Sequence, residues 1–95
     1  MTMHDIGTEL RQSLERHRFS LRPQPAARPG EEVVDIVREH GGETLHAGRV
    51  DHHLGLWSAF AVVRNTGLVR LDEVGRHESF EDAVLDALMS FTHVE

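Results

Sequence analysis

The residues that could do chemistry crowd into one stretch, HAGRVDHHLGLW at 46–57, where His46, Asp51, His52 and His53 fall within eight positions. Neutral imidazole and carboxylate both ligate zinc, which takes about four such groups in a tetrahedron. A site could draw on His46, Asp51, His52 and His53, with His77 added from the loop before the last helix. Zinc is the cofactor that set would hold. The spacing does not require it. Side chains two apart on a strand, or four apart on a helix, share a face. His52 and His53 are neighbours, so an extended chain sends them to opposite sides. Exposed histidines at a strand junction fit the pattern better. The chain has eight histidines in all, and protonating every one would move its formal charge from −6 to +2. Imidazole titrates near neutrality, so a metal- or pH-responsive protein is the alternative this stretch keeps open.

Other chemistry finds less support. DHH at 51–53 resembles the signature of the DHH phosphoesterases, but the match covers three residues. That family needs a longer, two-domain chain with further aspartate motifs, and the resemblance is rejected. None of the five serines sits in a G-x-S-x-G elbow. Ser79 is two residues from His77, poorly placed for a nucleophile–base pair, and reads instead as a helix cap. There is no phosphate-binding loop or dinucleotide fingerprint. With no cysteine, disulfides, thiolate nucleophiles and cysteine-ligated zinc are excluded. The expectation is a protein that is not an enzyme.

The elements around these residues follow from periodicity. Ile6, Leu10, Leu14 and His17 recur at helical spacing, which predicts a helix over 4–18. Pro23, Pro25 and Pro29 then suggest an extended linker over 19–30. In EEVVDIVREHGGE, residues Val33, Ile36, Val37 and His40 share a helical face, Glu31 and Glu32 suit a helix start and Gly41 a stop, so a helix is preferred over a strand. The period then falls to two. ETLHAGRV, LGLWSAFAVVR and LVRLDEV read as three strands, the last two joined by NTG at 65–67. SFEDAVLDALMSFTHVE closes the chain with a helix, Ser79 capping and Phe80, Ala83, Val84, Ala87, Leu88 and Phe91 forming its apolar stripe.

The expected fold is α+β: an N-terminal helix (1–18), a Pro-rich linker (19–30), and an α-β-β-β-α body (31–95) whose three-stranded antiparallel sheet packs on the C-terminal helix. The body resembles the double-stranded-RNA-binding domain in topology alone. Where that family sets a basic cluster at the start of its last helix, this chain has Glu78, Glu81 and Asp82, which would repel phosphate. The five arginines of residues 1–30 outnumber three acids there, whereas thirteen acids face five arginines in 31–95. An acidic body disfavours nucleic acid and suits a protein partner with a basic patch. No apolar run or signal-like leader points to a membrane, and the chain reads as cytoplasmic.

The middle strand is apolar on both faces, with Trp57, Ala59, Ala61 and Val63 on one and Leu56, Phe60 and Val62 on the other. One helix covers one face only, so the Trp57 face is expected to meet the N-terminal helix or a second subunit. The resulting expectation is a small acidic adaptor, regulator or inhibitor, homodimeric. Its contacts would run through Trp57, Ala59, Ala61 and Val63, or through Glu78, Glu81 and Asp82.

Overall fold

A computed structural model describes residues 6–26, 28–65 and 68–94. The elements run α1 (Thr8–Arg16), β1 (Phe19–Gln24), β2 (Glu32–His40), β3 (Glu43–His53), β4 (Leu56–Asn65), β5 (Leu68–His77) and α2 (Phe80–Val94). The five strands form one antiparallel sheet in chain order, so each strand pairs with its sequence neighbours. The α+β class stands, with five strands in place of the expected three.

Two segments depart from the sequence reading, each for a physical reason. Residues 32–40 form strand β2, not a helix. Val33, Val34, Ile36 and Val37 are β-branched, which lowers helix propensity and suits a pleated surface. Gly41 did not arbitrate, because a helix stop and a tight hairpin both ask for positive φ. With Gly42 it makes a two-residue turn at φ 59° and 82°, and His40 faces Glu43 across it. The resemblance to the RNA-binding topology ends there. Residues 19–24, expected in a linker, form edge strand β1, paired with β2 from Phe19↔Arg38 to Gln24↔Val33. Pro23 is tolerated because an edge strand needs only one side of its backbone for the ladder.

The core lies between the sheet and α2. Ser79 caps the helix, its Oγ accepting from the Asp82 amide at 3.0 Å. Phe80, Ala83, Val84, Ala87, Leu88 and Phe91 are all buried, as their spacing predicted. The helix crosses the sheet from Trp57, whose ring meets Phe80 edge-on at 4.9 Å, to Phe19, which meets Phe91 at 6.0 Å. It therefore lies on the Trp57 face. Trp57 is 4% exposed, and Ala59 and Ala61 are fully enclosed. The expected vacancy on that face does not exist. Burying Trp57 contributes at most about 5 kcal/mol, taking ~25 cal/mol for each of its ~200 Å². Gly48 lets strand β4 come close, since a Cβ there would stand 2.6 Å from the Phe60 carbonyl oxygen; the Ala87 Cβ of α2 would lie at an ordinary contact distance of 3.5 Å.

Helix α1 lies beside α2 on the same side. Leu10 and Leu14 are buried, and the Gly7 amide donates to Glu81 Oε2 at 2.8 Å. Two bulges bend the sheet. Ala47 has no partner between Ile36↔Gly48 and Val37↔His46, and Val74 none between Ala59↔Gly75 and Phe60↔Glu73. No helix among the described residues is long and apolar enough to cross a membrane.

Candidate functional site

Strand alternation distributes the histidine stretch over both faces of the sheet. His46 points to the face away from α2, with Nε2 3.3 Å from Asp35 Oδ1. The same oxygen accepts from Arg49 Nε at 2.8 Å. His52 lies on the helix face, its ring 4.7 Å from that of Trp57, its partner across the β3–β4 ladder. His53 is exposed. His77 also faces α2, its Nε2 2.7 Å from Asp86 Oδ2. Gly75 makes room for that pair, since a Cβ there would collide with the Asp86 carboxylate. No group of three histidine, aspartate or glutamate side chains comes together as a metal site among the described residues.

Asp51 is held differently. Its Oδ1 is shielded from solvent and has no hydrogen-bond partner. Burial pushes the carboxyl above its ordinary value of 3.8; Arg49 opposes the shift, while Glu31 and Asp35 add to it.

The residues expected at an interface divide in two. Trp57, Ala59 and Ala61 are core, covered by the chain's own α2, so they cannot meet a partner without opening the fold. Val63 is half-buried and lines a cavity. At the start of α2, Glu78 and Asp82 are exposed, whereas Glu81 is drawn inward by the Gly7 amide.

The cavity is an open groove of about 540 Å³ between α2 and the β4–β5 ladder. Val63, Val74 and Met89 give it apolar walls over the enclosed Ala61, and Asp72 and Asp86 bring carboxylates to it from opposite sides. Asp82 precedes Asp86 by one helical turn, which continues the acidic edge toward the helix start. Met89 is 67% exposed. The ion pairs beside the groove are loose: Arg70 meets Asp72 at 3.1 Å and Arg76 meets Glu73 at 3.5 Å, both on exposed side chains. Such pairs contribute about 0–1 kcal/mol, so another cation can replace either arginine at little cost.

A second feature stands at the far end of β4. The β3–β4 hairpin turns through Leu54 and Gly55, at φ 53° and 80°. Both central residues of such a turn need positive φ, which favours Asn-Gly and penalises leucine. Leu54 is nevertheless 88% exposed, and Leu56 beside it 38%. A bulky apolar side chain thus occupies a position that neither its backbone conformation nor its surroundings reward.

Neither feature was named from the sequence. The groove unites residues from β4, β5 and α2 that share no local motif. The turn did leave a signal, Leu-Gly where two alternating strands meet. Comparison with protein-family models, with curated proteins and with solved structures finds no match to this chain.

Proposed function

We propose that this chain is a small acidic, non-catalytic protein-binding module, acting as an adaptor, regulator or inhibitor. The groove between α2 and β4–β5 is its docking site, and an apolar segment bearing basic residues is its ligand. The observation that carries this reading is the pairing of apolar walls with carboxylates on both sides. From β5 through the first half of α2, the six acids Asp72, Glu73, Glu78, Glu81, Asp82 and Asp86 outnumber Arg70 and Arg76. Helix-in-groove and extended-peptide recognition both use such a surface, with apolar anchors for affinity and rim charges for selection. The volume falls within the range of about 300–1,000 Å³ typical of ligand sites.

The test uses a labelled peptide alternating leucine and arginine, followed by fluorescence anisotropy. Binding should weaken about tenfold or more in Met89→Glu, which places a charge on the apolar wall. It should weaken less in Asp72→Asn, and fail for the same peptide with glutamate in place of arginine. Equal binding of the basic and acidic peptides would end the reading.

A further inference from the structure

We infer that the groove accepts the β3–β4 hairpin tip of a second copy of this chain, so that two copies exchange tips. The inference rests on the groove being a docking site and names one occupant for it.

The tip supplies what the groove lacks. Leu54 and Leu56 are exposed apolar side chains at a protruding turn, and the groove is an exposed apolar concavity. Their polar groups are also compatible. From His52 to Trp57 the tip carries no acid, and His53 beside the turn is exposed, so its ring offers an N–H donor to a carboxylate. Across from it the groove presents Asp72 and Asp86, each with acceptor capacity to spare beside its own partner, Arg70 or His77. Approach of the tip to this rim meets no local repulsion.

The position of the two features allows the assembly to close. The tip precedes the first residue of β4, and the groove meets that strand at Ala61 and Val63, roughly 20 Å further along at ~3.3 Å per residue. Two copies set antiparallel bring each tip to the other's groove, and the two contacts are equivalent. That is the arrangement of a two-fold dimer, which closes after two subunits and leaves neither feature exposed. It also accounts for leucine at a turn position that asparagine fills with less strain, because asparagine would not enter an apolar groove.

The experiment is sedimentation equilibrium on the full chain, up to about 1 mM, a range that detects even weak association. Wild type should populate a dimer. Leu54→Asn should be monomeric and, at a dilution where wild type is monomeric too, melt at a higher temperature than wild type, so loss of association cannot be ascribed to unfolding. Met89→Glu should also be monomeric, with circular dichroism confirming its fold. An equimolar mixture of the two variants should recover a heterodimer, because Leu54→Asn keeps an intact groove and Met89→Glu an intact tip. A wild type that stays monomeric at every concentration overturns the exchange, and so does a Leu54→Asn chain that still dimerises. The docking reading stands apart from both results, since it is judged by the basic peptide and fails only with it.

Discussion

The two hairpins that flank β3 solve the same backbone problem with different residues. Between β2 and β3 the turn is Gly41-Gly42, at φ 59° and 82°; between β3 and β4 it is Leu54-Gly55, at φ 53° and 80°. The dihedral angles are nearly the same, so the local steric demand is too. The first turn meets it with glycines and ends among exposed polar neighbours: Glu39, His40, Glu43 and Thr44. The second holds a leucine against its conformational preference and leaves it 88% exposed. A left-handed non-glycine residue costs roughly 1–2 kcal/mol. One hairpin is therefore a connection. The other carries a side chain whose placement costs stability and is not offset by burial.

The comparison can be tested from the base of the second hairpin upward. Trp57 anchors it, held between the tilted ring of His52 and the edge-on ring of Phe80. Trp57→Ala should lower unfolding free energy by about 3–5 kcal/mol in urea, the usual cost of removing a large buried aromatic side chain. A loss below about 1 kcal/mol would show that the hairpin is not tied to the core through this ring. Next come the turns themselves. Gly41→Leu copies the strained turn onto the plain hairpin, where a Cβ meets nothing within 4 Å, so only the backbone term changes. It should cost about 1–2 kcal/mol, and Leu54→Asn should recover about 1 kcal/mol, both read as shifts in urea midpoint. Equal midpoints for Leu54→Asn and wild type would mean that leucine is not strained there.

The smallest effect concerns Asp51, three residues before the tip. Burial raises its carboxyl above 3.8, so the folded chain holds that proton more tightly than the unfolded chain does. Stability from this group is present below 3.8 and is lost as pH rises through the elevated folded value. Asp51→Asn removes the titration. The variant should melt above wild type at neutral pH, with the gap narrowing as pH falls through the elevated folded value and closed below 3.8. A gap that widened in acid would reverse the sign of the argument.

What could be read from the sequence follows the reach of each signal. Helix α2 was legible down to its Ser79 cap, because its stripe and its cap lie within one turn of each other. Strands β3, β4 and β5 announced themselves by alternation. The opposite faces of His52 and His53 followed from the same rule, and the structure stacks one on Trp57 while exposing the other. Strand β2 was misread because Val33, Ile36 and Val37 satisfy a helical period by coincidence while their β-branching favours a strand. Strand β1 was hidden by Pro23 and the prolines that follow it, since tolerance of Pro23 in a strand depends on being at a sheet edge, a fact of topology. The side of the sheet that α2 would choose was likewise beyond local pattern. Both faces of β4 are apolar, and the choice shows at Gly75, where a Cβ would collide with the Asp86 carboxylate of the helix. The NTG hairpin falls partly outside the described residues.

The order of strands in the sheet is the order in which a ribosome makes them. Each new strand can zip onto the one before it, a route of short loop closures that favours rapid assembly. Helix α2 is the exception. It follows all five strands, yet it reaches back past them to Phe19 and Gly7. Until it emerges, the sheet lacks its cover over Trp57, Ala59 and Val50, and the nascent chain exposes its most aggregation-prone surface.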